Sequence, residues 1–376
     1  MGDEPLRVAI VGAGVIGELH ADVLATLPRF QVTAVVSRTG PAADRLADRI
    51  ARSGSRPDVL TDLTEAFPRC DVVAICTPNG THGALAEQAL GARKHVVIEK
   101  PIEVTLRRAM RVSRAAAAAP ESACTVISQH RFDPSAVAVH DAVHSQRLGR
   151  PTSGVALLPW WRSERYYASA DWRATLALDG GGALMNQGIH TLDLLLWMMG
   201  PVRSVHARQG LLAHRAIEVE DTLAATIDFQ SGAIGTLLVT TAAYPQLPAR
   251  LQVHGSLGSA VIEDDELVYF HSSPEDRSGE RHDSGGGENT AAEERARVED
   301  GRGTVMGASH ARQYEDLARA IDTGSHPRIA VDDAVATLAV VEALYRSARW
   351  GEDVLVEDVL AGGGRRQTVD TEGRTT

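Results

Sequence analysis

From Leu6 to about Ser128 the chain alternates short runs of Val, Ile and Ala with longer segments whose apolar residues recur at helical spacing. The runs Arg7–Val11, Gln31–Val36, Asp71–Cys76, Val96–Ile98 and Cys124–Ser128 are predicted as strands. Between them Glu18–Leu27, Pro41–Arg52, His82–Leu90 and Leu106–Ala118 are predicted as helices, each bounded by Gly, Pro, Thr or Asp. Near-continuous apolar strands separated by crossover helices predict an α/β unit with a doubly wound parallel sheet, because strands buried on both faces have no polar face to display.

The pattern changes after about Gln129. A helix is predicted over Pro134–Arg147, and longer strand-like stretches over Ser153–Leu158, Val202–Gln209, Asp221–Phe229 and Ala233–Thr241. These suit a C-terminal α+β domain with a large, mostly antiparallel sheet. Ala311–Asp322 and Ala334–Arg349 carry Leu, Val, Ile and Tyr three and four residues apart, as amphipathic helices do. Residues 272–303 hold almost no large apolar side chains, so burial cannot offset their ordering entropy, and a mobile loop is expected there. A disordered tail is expected over 361–376 for the same reason. The predicted organisation is a dinucleotide-binding domain over 1–128 and a substrate and oligomerisation domain over 129–360.

With 376 residues and 44% hydrophobic content the chain can bury two domain cores. A formal net charge of -11 disfavours nucleic acid or an anionic membrane as partner and leaves a small molecule as the default. Cys70, Cys76 and Cys124 lie in or beside apolar runs with no C-x-x-C pair, as core residues in a reducing compartment. The start has no basic segment followed by a long apolar stretch, and no apolar run reaches membrane-spanning length. A cytoplasmic protein without a targeting segment is therefore expected.

The first strand runs into Gly12-Ala13-Gly14-Val15-Ile16-Gly17 and then a helix, the context in which G-x-G-x-x-G signals dinucleotide binding. Gly12 permits the tight turn, Gly14 lets the backbone approach a pyrophosphate, and Gly17 allows close helix–strand packing, while the helix N-terminus offers free N–H donors. The second strand ends in Ser37-Arg38-Thr39, where an NAD-specific domain usually places an acid for the ribose hydroxyls. The missing acid and the guanidinium tilt the expectation toward NADP over NAD, although a solvated loop arginine fits the same string. Thr77, Pro78 and Asn79 fall at the carboxyl edge of the sheet with His82 opening the next helix; they serve equally as cofactor contacts or as a turn and cap.

Glu99-Lys100-Pro101 arrives at that same edge, where a lysine can donate to a substrate hydroxyl or stabilise a developing alkoxide. Downstream, three glycines at 180–182 open a segment whose helix is expected to begin near Ala183. Asn186, His190 and Asp193 then lie four and three residues apart along one face of an otherwise apolar helix. A lone histidine there is more often a satisfied core residue, but flanked by Asn and Asp it becomes a credible general acid/base, with the Asn186 amide able to orient its ring. A zinc site is not expected, since one His and one Asp share the face and no H-E-x-x-H is present.

Together GAGVIGELH, CTPNGTH, EKP, QHRFDP and GGGALMNQGIHTLDLLLWMMG resemble the Gfo/Idh/MocA oxidoreductase family over nearly the whole chain. The resemblance implies NAD(P)-dependent hydride transfer to or from a ring hydroxyl or ketone of a sugar, cyclitol or sugar nucleotide. It places the catalytic pair at Lys100 and His190 and implies a homodimer or homotetramer built through the C-terminal sheet. It also implies a peptide before Pro101 that is often cis. Many relatives carry Asp four residues before the catalytic histidine, where this chain has Asn186. Arg131, the cluster Trp160, Trp161, Arg162, Tyr166, Tyr167, Trp172 and Arg173, and His310 are candidates for the substrate pocket; the aromatics fit domain or subunit packing equally well. Alternatives of the same fold are an NAD-dependent glycoside hydrolase and a nucleotide-sensing regulator without turnover, the latter disfavoured by retention of Lys100 and His190.

Overall fold

The computed structural model describes residues 4–273, 287–298 and 307–363. Six strands, β1 (Leu6–Val11), β2 (Phe30–Val36), β3 (Asp58–Leu60), β4 (Val72–Ile75), β5 (His95–Ile98) and β6 (Cys124–Val126), form one parallel sheet in the order β3-β2-β1-β4-β5-β6. The apolar runs become its interior: all four residues of β4 are buried, and Val8, Ala9 and Ile10 of β1 have no exposed surface. The short β3 was not among the predicted strands; its three residues are only half-buried or exposed, so it carries little hydrophobic signal. Strand order reverses between β1 and β4, and the loops leaving these two strands border the crevice where open α/β sheets take their ligands.

Eight more strands form the second sheet: β7 (Pro151–Pro159), β8 (Val202–Gly210), β9 (Thr222–Phe229), β10 (Ile234–Thr240), β11 (Arg250–Gly255), β12 (Gly258–Glu263), β13 (Glu266–Ser272) and β14 (Val354–Leu355). Their order is β13-β12-β11-β7-β10-β9-β8-β14, antiparallel except for the β7–β10 pair. The helix Ile189–Met199 packs on β7 and β11, and the long helix Val331–Trp350 lies along β8. No helix among the described residues is long and apolar enough to cross a membrane.

The loop expected over 272–303 requires a correction. Ala291–Val298 is a helix, while 274–286 and 299–306 lie outside the described residues, as do 364–376 of the expected tail. The Asn289 Oδ1 accepts from Ala291 N at 3.1 Å, and Glu294 pairs with Arg147, which follows the helix Pro134–His144. A local cap and one ion-pair partner distant in sequence thus supply fixed interactions that the scarcity of large apolar side chains did not suggest.

Candidate active site

Gly12 has φ +108°, and a Cβ there would lie 2.5 Å from the Cys76 carbonyl oxygen at the end of β4, so this crossing point demands glycine. At Gly17 a Cβ would meet the Gly12 oxygen at 2.1 Å, which ties the helix Val15–Ala25 tightly onto its strand. Gly14 faces open space instead and no side chain caps the helix it begins, leaving the first N–H groups free to meet an anion. Val15 stands 75% exposed beside them. The open cradle, the uncapped helix end and the exposed apolar residue fit the pyrophosphate of a dinucleotide. Arg38 is exposed at the end of β2, and the Ser37 and Thr39 hydroxyls lie 3.3 Å apart.

Across the crevice, β5 delivers Glu99 and Lys100, with the Lys100–Pro101 peptide cis. The Lys100 Nζ donates to the Asn186 carbonyl oxygen at 2.9 Å. That carbonyl is available because Leu184–Gly188 forms a π turn rather than the α turn expected from Ala183 onward. Glu220 anchors the turn, accepting from Gly182 N at 2.9 Å, Leu184 N at 3.0 Å and the Tyr345 hydroxyl at 2.9 Å. Lys100, His130 and His190 line one pocket together with Pro101, Ile127 and Asp193.

Several expected roles change. The Asn186 side chain does not orient His190: its Oδ1 accepts from Asn79 Nδ2 at 3.1 Å and its Nδ2 donates to the Gly181 oxygen at 3.0 Å, because the π turn rotates it out of the i, i+4 row. Arg131 is 4% exposed and grips Asp193 through two hydrogen bonds of 2.8 and 2.7 Å, so it joins elements rather than facing a substrate. This also withdraws Asp193 from His190. His82 is fully buried with its ring nitrogens 2.8 Å from the Pro101 and Thr77 oxygens, holding the two loops together rather than touching a cofactor. Asn79 is buried against Asp179 and Asn186, and Thr77 accepts from Thr81 Oγ1 at 2.7 Å as part of the same turn. Glu99 turns inward, its Oε1 2.9 Å from His20 Nε2, whose Nδ1 lies 2.7 Å from the Tyr314 hydroxyl. His310 closes this buried cluster, 3.9 Å from Glu99.

Burial opposes every charge here, and the partners decide the outcome. Burial first, and then the facing cations Lys100 and His130, hold His190 well below the usual histidine range, so its ring is neutral at neutral pH. Burial lowers Lys100 as well; Glu99 and Asp179 oppose the shift and Arg173 adds to it. For Glu99 burial acts upward, but the His20 hydrogen bond and charge prevail and hold the carboxyl at about 2. Burial brings His310 down to about 4. His130 behaves oppositely: Asp133 at 2.7 Å and Asp265 at 3.0 Å overcome its burial and raise it to about 10. Two groups of three ligand-type atoms thus form within 4.8 Å, His20 with Glu99 and His310, and His130 with Asp133 and Asp265; both read as ion-pair clusters closed by their own members. Their sequence signal was weak. His20 and Glu99 sat inside motifs with other meanings, and Asp265 comes from a hairpin turn remote from QHRF.

A parallel sheet with a glycine-lined nucleotide cradle, facing a lysine and a neutral histidine in one pocket, defines a dinucleotide-dependent oxidoreductase. The family model for the oxidoreductase family with an NAD-binding Rossmann fold matches residues 6–128, and that for the GFO/IDH/MocA C-terminal domain matches 136–261. The chain belongs to this GFO/IDH/MocA oxidoreductase family. It is 26% identical to an inositol 2-dehydrogenase of Rhizobium meliloti (strain 1021), over 91% of this chain and 96% of that one. A D-glucoside 3-dehydrogenase of Escherichia coli (strain K12) is 29% identical, over 62% of this chain and 70% of its own length. The crystal structure of the WlbA dehydrogenase from Bordetella pertussis in complex with NADH and UDP-GlcNAcA superposes with a TM-score of 0.82 at 26% identity, covering 94% of this chain and 99% of that one.

Proposed function

We propose that the protein oxidises, reversibly, a ring hydroxyl of a sugar, cyclitol or sugar nucleotide. One observation carries the reading: Lys100 and a neutral His190 line one pocket at the carboxyl edge of the parallel sheet, opposite the nucleotide cradle. The nicotinamide, when bound, supplies the hydride acceptor for oxidation and the donor for reduction. The Lys100 ammonium donates to the substrate oxygen and stabilises charge developing on it. The neutral His190 ring accepts the hydroxyl proton, a role that burial and its cationic neighbours suit. Names of relatives that act on inositol and glucosides, or were crystallised with a sugar nucleotide, support the substrate class.

The proposed division is nucleotide binding by 1–128 and substrate binding by 129–360. Gly12, Gly14, Val15, Ile16 and Gly17 would hold the pyrophosphate, with Thr77 and Pro78 on the facing loop. The exposed Arg38 beside Ser37, with no acid at that strand end, favours NADP over NAD. Ile234, Leu238 and Val268 are exposed on β10 and β13, which favours a homo-oligomer joined through the second sheet. The test is to incubate the protein with NAD and NADP against cyclitols, hexoses and sugar nucleotides while following nicotinamide absorbance. Failure of every polyol and sugar to reduce either cofactor overturns the assignment.

A further inference from the structure

The segment between β7 and the glycine run places two arginines beside the catalytic pocket without acids to pair them. Arg173 donates from Nη1 to the Tyr166 hydroxyl at 3.0 Å and from Nε to Ser169 Oγ at 2.9 Å, and its guanidinium lies over the Tyr166 ring at 4.6 Å. Arg162 lies over the opposite neighbours, 4.9 Å from the Trp160 ring centre and 5.3 Å from that of Tyr166. Its Nη1 reaches only the Trp161 oxygen, and its Nε, like the Trp160 Nε1, is buried with no hydrogen-bond partner. Among the described residues neither guanidinium has a carboxylate partner. Nearby acids are engaged elsewhere: Asp179 accepts from Ala174 N at 2.6 Å and from Asn79, and Glu220 accepts from the backbone of the π turn.

This arginine pair is joined to the catalytic segment. Gln187 donates to the same Tyr166 hydroxyl at 3.0 Å, and Gln187 directly follows the Asn186 whose carbonyl receives Lys100 Nζ. Arg173 is close enough for its charge to act on both Lys100 and Asp179. In a chain of formal net charge -11, Arg173 and Lys100 therefore lie within electrostatic reach of each other, and Arg162 is joined to Arg173 through the Tyr166 ring that both contact. Half-buried guanidiniums stacked on aromatic rings are held in place, and two orphaned buried N–H donors remain for an acceptor to satisfy.

Building on the proposed function, we propose that the substrate carries an anionic group, a carboxylate or a phosphate, which sits between Arg162 and Arg173 while the reacting hydroxyl lies at Lys100 and His190. Arginine pairs bind both oxyanions with paired donors, and a half-desolvated site strengthens them relative to water. A neutral hexose offers the arginine donors only hydroxyl oxygens, which bind a guanidinium more weakly than an oxyanion does, and is disfavoured accordingly.

The experiment is a tryptophan-fluorescence titration of the cofactor-loaded protein with D-glucuronate, D-glucose 6-phosphate, UDP-glucuronate and D-glucose. At least one anionic sugar is expected to bind roughly ten- to a hundredfold more tightly than D-glucose, with an affinity that falls as salt is raised. Tighter binding of glucuronate than of glucose 6-phosphate assigns the anion to a carboxylate, and the reverse to a phosphate. Replacing both arginines, R162Q with R173Q, should abolish that preference while leaving the far-ultraviolet circular dichroism unchanged; R162K with R173K should restore part of it. Equal binding of D-glucose and all three anions, no binding by any anion, or a preference that survives the double replacement each overturns the proposal. Turnover of neutral cyclitols in the same preparations would leave the proposed oxidation standing while the anionic assignment fell. Anion binding without turnover of any alcohol would do the opposite.

Discussion

Replacing His130 by Asn should move the acid limb of the oxidation rate to higher pH. The His130 ring meets the His190 ring edge-on, with centroids 5.1 Å apart, and Asp133 and Asp265 keep it cationic up to about pH 10. In the proposed oxidation His190 would work as a neutral base, so the rate falls as pH drops through the value at which it takes up a proton. A facing cation opposes that protonation; removing it makes protonation easier, and the limb rises. Two unit charges about 5 Å apart interact by about 3 kcal/mol at an effective dielectric constant of about 20, and by less than 1 kcal/mol in bulk water. For a half-buried pocket the shift is then on the order of one to two pH units. Burial and Lys100 also depress His190, so the variant keeps part of the depression. The assay is kcat/KM for oxidation against pH with saturating cofactor, with Asp265→Asn as a companion that leaves His130 paired with Asp133, and so cationic at the limb, and should not raise the limb. An unmoved limb in His130→Asn, or one at lower pH, would refute the electrostatic coupling of these two rings.

Four further outcomes follow from the same geometry. Lys100→Ala should lower kcat by about a hundredfold or more with little change in cofactor affinity, as loss of one oxygen-stabilising donor does; near-normal turnover removes Lys100 from the mechanism. Arg38→Ala should weaken NADP binding by about 1.5 to 3 kcal/mol and leave NAD nearly unchanged, and calorimetric titration showing tighter NAD than NADP binding by the unaltered protein defeats the preference. Asp193→Ala strips Arg131 of two short hydrogen bonds inside the core and should cost about 3 to 5 kcal/mol in urea unfolding; a loss below about 1 kcal/mol would mean the pair is not structural. Finally, His130 is raised from near 6.5 to about 10 on folding, so its contribution to stability is complete below about pH 6.5 and is lost as pH rises toward 10. Thermal melts across that interval should show a decline that His130→Asn lacks.

Much of the architecture could be read from the chain because burial leaves a one-dimensional trace. β1, β2, β4, β5 and β6 are apolar runs bounded by turn residues, and Gly12, Gly14 and Gly17 are spaced as a turn onto a helix requires. The strand β11 escaped notice because Gln252 and His254 interrupt its apolar residues, and its pairing with β7 joins segments about a hundred residues apart, with β12 and β13 added outside it. The helix Ala291–Val298 was hidden because it carries few large apolar side chains, and its docking through Glu294 onto Arg147 joins segments about 150 residues apart.

At the site the division falls between residue identity and residue role. Sequence by itself determined that a lysine would end β5, that a histidine would stand on an apolar helix, and that glycines would frame a nucleotide cradle, because each rests on local spacing. Only the tertiary structure decided that Asn186 serves Lys100 through its carbonyl, that Arg131 is engaged by Asp193, and that His190 is neutral because it is buried facing the cations Lys100 and His130 from separate elements. A π turn differs from an α turn by one residue of hydrogen bonding, which periodicity cannot resolve. An electrostatic environment is a sum over neighbours in space, and the chain order of Lys100, His130, His190 and His310 carries no information about their separation once folded.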